Sequence, residues 1–272
     1  MCSLRVIQVD PDHREGLAAA GLLDLAALLG REDLEPVKTR LAERQVHRLT
    51  LPDGRLVYVK RYFRLPVAAA LKARLGGRGW RSGASREGRA LCRLAELGID
   101  AARVLAVLEE SRFGLVRRAA LVTLALPETR SLEEILCREG VSPATREPLA
   151  CRLATILRRL HAGGVNHRDF YLGHLRLGAD PERIFVMDLD RADLRPRVSR
   201  RWRVKDLAAL EFSTPARVIG AFGRLRFLRR YLAEDLRRHR ALVRAIAAKA
   251  ARMRRHVERK VARGAANYHL NR

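Results

Sequence analysis

Hydrophobic and polar positions change period several times along the chain, and each change predicts an element. Leu17 to Leu29 is apolar and alanine-rich, interrupted by Gly21 and Asp24, and predicts a short helix packed on the main body. Arg44–Leu51 and Arg55–Tyr62 are β-prone and flank Pro52-Asp53-Gly54, a tight-turn signal, so a hairpin is expected there. The glycine-bearing basic stretch from Arg61 to Gly83 reads as a flexible loop or helix, facing either an anionic partner or only water. Ser85 to Leu97 puts Leu91, Leu94 and Ala95 on one helical stripe and stops at Gly98. Arg103–Leu108 and Leu115–Leu126 are two more strands around Ser111-Arg112-Phe113-Gly114, and Pro127 to Arg130 reads as a hinge. Ser131-Leu132-Glu133-Glu134 is a capping box. Ser142-Pro143 opens a longer helix with Leu149, Leu153, Ile156 and Leu160 on one face, ended by Gly163-Gly164.

Polar residues then interrupt the apolar pattern where chemistry needs them. Val165-Asn166-His167-Arg168-Asp169 is followed by an apolar strand ending at Leu177, and Ile184-Phe185-Val186-Met187-Asp188 follows a turn at Gly178 to Pro181. Two acids 19 residues apart therefore sit on one β-hairpin. Phosphoryl transfer uses two such acids, because one carboxylate must orient the attacking hydroxyl and another must hold the metal that bridges the phosphate oxygens. Asp169 suits the first role, and Asp188 suits Mg²⁺, a hard ion that prefers oxygen ligands. Lys60 ends the apolar run Leu56-Val57-Tyr58-Val59, like the strand lysine that reaches ATP phosphates in kinases, and Glu87 near a helix start is placed to pair with it. Taken singly, each signal has a plainer reading. A His-Arg-Asp in an arginine-rich chain is an ordinary turn, a strand-end lysine snorkels, and a glutamate near a helix N-terminus is favoured by the dipole. The two hairpin stretches at this spacing are far more specific. The element order predicts an α+β, bilobal protein-kinase-like fold: a helical extension over 1–36, a small β-rich N-lobe over 37–126 and a helical C-lobe over 127–272.

Composition narrows the partners. The chain has 272 residues, 48% of them hydrophobic, enough for one bilobal domain or two small ones. Lys plus Arg number 55 against 30 Asp plus Glu, a net charge of +25, so an anionic partner is expected: a membrane surface, a phosphorylated glycan, an acidic protein or nucleic acid. A codon bias toward arginine and alanine accounts for some of this basicity without any partner. The segment 217–272 carries 15 arginines and two lysines against three acids, a net +14 at helical spacing, which suits an anionic membrane surface. Aromatics are only 5% and do not interleave with the basic residues, which argues against nucleic acid. Cys2, Cys92, Cys137 and Cys151 are scattered without zinc or disulfide spacing, no signal-peptide core is present and no apolar run reaches about 18 residues. A cytoplasmic protein is expected.

Three runs carry a closer resemblance: His167 to Leu175, Met187 to Ala192, and Arg201 to Ser213. They resemble the lipopolysaccharide kinase family, Kdo/WaaP, over roughly Val37 to Ser213. The resemblance implies a cytoplasmic, ATP-dependent kinase, peripheral at the inner face of the inner membrane, which phosphorylates a heptose or Kdo of the lipopolysaccharide core glycolipid. By it, Asp169 is the catalytic aspartate, Asp188 the metal ligand for Mg²⁺, Lys60 the ATP lysine and Glu87 its partner. His174 stands where protein kinases have asparagine, and binding metal or fixing the loop both remain open for it. Asp206 matches a buried aspartate that holds the catalytic loop. The chain also departs from protein kinases. No Gly-x-Gly-x-x-Gly precedes Lys60, the expected phosphate-covering loop at Thr39–Arg44 lacks glycine, and Tyr171 replaces a phosphate-contacting lysine, leaving Arg191 and Arg168 as candidates. Another glycan or small-molecule acceptor, and a catalytically silent scaffold, stay open as alternatives.

Overall fold

The computed structural model describes residues 2–41, 44–63, 82–112, 115–140 and 142–263. Most of the basic stretch from Arg61 to Gly83, and the turn at Phe113-Gly114, lie outside the described residues. The chain divides into two compact units, 1–95 with 101–126, and 96–100 with 127–272.

The first unit is built on a six-stranded antiparallel sheet in the order β1-β5-β6-β4-β3-β2, with β1 Cys2–Val9, β2 Glu35–Leu41, β3 Arg44–Thr50, β4 Leu56–Tyr62, β5 Val104–Arg112 and β6 Leu115–Leu124. The expected helical extension over 1–36 is corrected in two respects. It opens with a strand, β1, which pairs with β5 from Cys2↔Arg112 to Val9↔Ala106, a partner about 100 residues away that local periodicity cannot reveal. Its helix is two helices, α1 Arg14–Ala19 and α2 Leu25–Gly30. Gly21, at φ +67°, turns the chain, and Asp24 caps α2 by accepting from Ala26 N at 2.8 Å and Ala27 N at 3.1 Å. Leu17, Leu22, Leu25 and Leu28 are fully buried and pack with Val57, Val59, Leu105, Leu108 and Val122 of the sheet. Each such leucine stabilises the unit by about 1.5–3 kcal/mol, so α1 and α2 are part of the core.

Alternation along β4 decides where its polar residues go. Val57, Val59 and Arg61 are buried on one face, so Tyr58 and Lys60 point to the other. Arg61 donates to Leu28 O and Leu29 O at 3.3 Å and to Arg31 O at 2.7 Å, satisfying carbonyls at the end of α2. α3, Gly83–Glu96, is capped by Ser82, whose Oγ accepts from Ser85 N at 2.9 Å. Gly88 lets α3 lie close against the sheet, because a Cβ there would come within 2.8 Å of Val107 Cγ2.

The second unit is mainly helical, with α4 Pro143–Ala162, α5 Arg200–Ser213, α6 Ala221–Leu232 and α7 Arg240–Ala262. Ser142 Oγ caps α4 on Thr145 N at 3.2 Å. The buried stripe of α4 is Leu149, Leu153, Leu157 and Leu160, with the expected Ile156 half-buried beside it. α6 packs on α4 and α7 on α5, burying Leu228, Tyr231, Leu242, Ile246 and Ala250, so the basic C-terminal helices contribute to the core with one face. Between α4 and α5 run the short strands β8 Val165–Asn166 and β11 Asp193–Leu194, which pair with each other, and β9 Leu175–Gly178, which lies between β7 Thr129–Ser131 and β10 Ile184–Val186. Among the described residues no helix is long and apolar enough to cross a membrane.

Candidate active site

In the first unit, the Lys60 ammonium and the Glu87 carboxylate meet at 2.5 Å, with side chains 17% and 4% exposed. Lys60 reaches this position because it lies on the α3 side of β4, and Glu87 because it falls one turn inside α3. Removing either partner would strand a buried charge, at a cost of about 3–5 kcal/mol. Lys60 donates to Glu87 Oε1, and Oε2 accepts no hydrogen bond among the described residues, so the pair is positioned by its two elements.

In the second unit, the hairpin is anchored from below. Gly164, at φ +81°, brings the chain into β8 so close to β11 that a Cβ would lie 2.1 Å from Arg195 O. Asp206 of α5 is fully buried and accepts from Asn166 Nδ2 at 2.8 Å, His167 N at 2.9 Å and Arg168 N at 2.7 Å. His167 is buried too, and burial pushes its pKa below the ordinary 6.5, keeping the ring neutral. Its Nε2–H then donates to Met187 O at 2.9 Å, which ties the two halves of the hairpin together. Arg168 is held at φ +73° and Asp188 at φ +57°, left-handed values that a side chain adopts only where the surroundings impose them.

These constraints bring Asp169, His174 and Asp188 together. His174 Nδ1 lies 2.8 Å from Asp169 O and, with its proton there, donates to that carbonyl. Met187 N donates to His174 O at 2.9 Å, and Asp188 follows at once. His174 Nε2 then faces Asp188 Oδ2 at 3.6 Å with its lone pair available. An imidazole nitrogen and a carboxylate oxygen this close form a donor pair that fits a divalent ion, the carboxylate being the harder donor. Arg191 Nη1 lies 3.0 Å from Asp169 Oδ2, and Lys205 Nζ of α5 lies 4.0 Å from Asp169 Oδ1. Burial lowers the pKa of Lys205 and the Asp169 charge opposes that shift, so this is a partly desolvated cation beside the carboxylate.

The sequence model of the lipopolysaccharide kinase (Kdo/WaaP) family matches residues 35–231. The chain belongs to that family. As a member of it, the chain is an ATP-dependent phosphotransferase. It is 34% identical over 191 residues to the lipopolysaccharide core heptose(I) kinase WaaP of Escherichia coli (strain K12), covering 65% of this chain and 72% of that protein. It is 35% identical over 164 residues to the protein of the same name from Pseudomonas aeruginosa, covering 57% and 61%. A solved structure, WaaP in complex with acyl carrier protein, superposes with a TM-score of 0.72 at 27% identity over 91% of this chain and 98% of that one, which makes the protein-kinase-like fold that of this chain.

Within this family frame, the structure places the two arginines differently and brings in a residue the sequence did not mark. Of the two arginines that stood as candidates beside the reacting phosphate, Arg191 lies on Asp169, whereas the Arg168 guanidinium lies over the Trp202 ring at 5.2 Å. Lys205 is the addition. Nothing in the sequence marks it except that it precedes the buried Asp206 by one residue, so the helix that anchors the loop also brings a cation to the Asp169 carboxylate.

Proposed function

We propose that this kinase transfers the γ-phosphoryl group of ATP to a heptose hydroxyl of the lipopolysaccharide inner core, as the names of its relatives describe for them. The observation that supports the reading best is the hairpin geometry, with His174 joined to the Asp169 carbonyl at 2.8 Å and facing Asp188 at 3.6 Å. Lys60, fixed by Glu87, draws the α and β phosphates by charge. Asp188, with His174 Nε2 beside it, would hold Mg²⁺, which supplies charge neutralisation across the phosphate oxygens when bound. Asp169 accepts a hydrogen bond from the sugar hydroxyl, aligns it for in-line attack and takes its proton as the O–P bond forms. Lys205 and Arg191 offset charge that builds on the transferred phosphoryl group.

A chain of charge +25 suits acidic surroundings. The outward faces of α6 and α7 suit the anionic cytoplasmic face of the inner membrane, where a nascent glycolipid acceptor is anchored, and roughly 1 kcal/mol per basic residue is available there. Acyl carrier protein, named with the solved relative, is an acidic protein and a fitting partner for this chain as well.

The test is transfer of labelled γ-phosphate from Mg·ATP to heptose-bearing, unphosphorylated lipopolysaccharide, with Asp169→Asn run in parallel. Wild-type transfer is expected to fall by roughly 10²-fold or more in the variant, as loss of a general base and orienter requires. Near-normal transfer by the variant would remove Asp169 from the mechanism.

A further inference from the structure

We propose that a cationic cavity beside Asp169 seats a phosphate or carboxylate group carried by the glycolipid acceptor, next to the sugar whose hydroxyl reacts. The proposal rests on the sugar-kinase reading above and deepens it by naming what else on the acceptor is recognised. The cavity lies within the second unit, is open to solvent and has a volume of about 670 Å³, within the size range of small-ligand sites. Six cations line it: Arg168, Arg200, Arg201, Lys205, Lys249 and Arg252, with no acidic side chain among the described residues of the lining.

Three features show that the cations are gathered on purpose. Trp202, which lines the cavity, carries Arg168 at 5.2 Å, Arg195 and Arg201 at 5.3 Å and the Lys205 ammonium at 5.9 Å around one indole, so cation–π attraction fixes charges that repel each other. Arg168 takes part at the cost of a left-handed backbone, φ +73°. The start of α5, where Arg200 and Arg201 lie, has no side-chain cap on Ser199, so its first N–H groups and the positive end of a 14-residue helix add to the field. Like charges this close lower in energy when an anion enters among them, and guanidinium groups offer paired donors to phosphate or carboxylate oxygens.

The cavity belongs to the acceptor because Lys205 joins it to the reaction centre. This lysine lines the cavity and also stands 4.0 Å from Asp169 Oδ1, so an acid seated among the cations lies next to the hydroxyl that Asp169 orients. Lys249 and Arg252 form the wall contributed by α7. An acceptor bound by its acidic group would present one hydroxyl and not its neighbours, which gives regiospecificity.

The test uses the full-length protein and Lys249→Ala/Arg252→Ala, with Arg200→Ala as a second variant on another wall. Acceptors in detergent are intact heptose-bearing lipopolysaccharide, the same material stripped of phosphates, and the same material with its carboxyl groups reduced. Expected are a tenfold or larger rise in acceptor KM for either variant, with kcat and ATP KM within twofold of wild type. Removing the recognised acid from the acceptor should raise the wild-type KM alike and leave the variants insensitive. Unchanged acceptor KM would overturn the proposal, as would a rise in ATP KM alone, which would give the cavity to the nucleotide. A loss of binding to anionic phospholipid vesicles at unchanged acceptor KM would overturn it in favour of a membrane headgroup. If wild type transfers no phosphate to heptose, the heptose reading fails separately. Trp202 emission, followed in a Trp80→Phe background as intact acceptor is added without ATP, then decides. Weaker binding by the double variant supports the cavity, and equal binding overturns it.

Discussion

The ring of His174 is placed for two jobs. Nδ1 secures the catalytic loop through the Asp169 carbonyl at 2.8 Å, and this leaves Nε2 facing Asp188 at 3.6 Å. An asparagine can do either job but presents its amide over a shorter reach. His174→Ala should therefore raise the Mg²⁺ concentration for half-maximal transfer by about tenfold, in line with the loss of a ligand or its immediate support. A metal titration at saturating ATP checks this, and an unchanged midpoint would confine His174 to holding the loop. Asp206 works at the same scale in a different way. Fully buried, its carboxylate joins β8, the loop backbone and His161, whose Nε2 lies 3.1 Å away and whose Nδ1 lies 2.7 Å from Tyr231 Oη on α6. The basic C-terminal region thus enters the support of the catalytic loop through Tyr231.

At the scale of elements, α3 carries Glu87 to Lys60, and the fit of α3 on the sheet depends on Gly88 next door. Gly88→Ala would push a methyl group into Val107, at 2.8 Å. Overpacking of this kind costs about 1–3 kcal/mol. The variant is expected to unfold at a lower temperature and to show a raised ATP KM as Glu87 is displaced, and calorimetry with ATP kinetics checks both. The elements also show what could be read from sequence. β4 was legible because alternation places Lys60 unambiguously once Val57 and Val59 are buried, and the hairpin was legible because phosphoryl transfer demands its residue types in order. β1 was not, since its pairing partner is about 100 residues distant and its strand carries charge. The buried side of α4 was legible at Leu149, Leu153 and Leu160 and missed only at Leu157, which is buried while Ile156 is half-buried. Lys205 escaped because a lysine in a chain with 55 basic residues carries no local signal until α5 is placed under the loop.

At the scale of the whole molecule, charge and protonation set the working conditions. Burial lowers the pKa values of His47 and His167, with Arg61 adding to the effect at His47. The folded state therefore binds fewer protons than the unfolded chain below pH 6.5, so stability is full above that value and declines as the pH falls further. Urea unfolding midpoints should be lower at pH 5 than at pH 7.5, and equal midpoints would contradict the buried, neutral state of these rings. If the outward charge of α7 holds the protein at a membrane, the joint replacement of the exposed Arg244, Arg255 and Arg259 by glutamine should weaken binding to anionic vesicles by roughly fivefold per residue at low ionic strength. Retained binding would leave those charges as a solvated face.

Mass spectrometry of the reacted acceptor, with fragmentation to assign the modified residue, decides which sugar receives the phosphate. One added phosphate on a heptose fragment, absent from the Asp169→Asn reaction, is the predicted result. A phosphate on Kdo, or on any fragment without heptose, would rule out heptose as the acceptor.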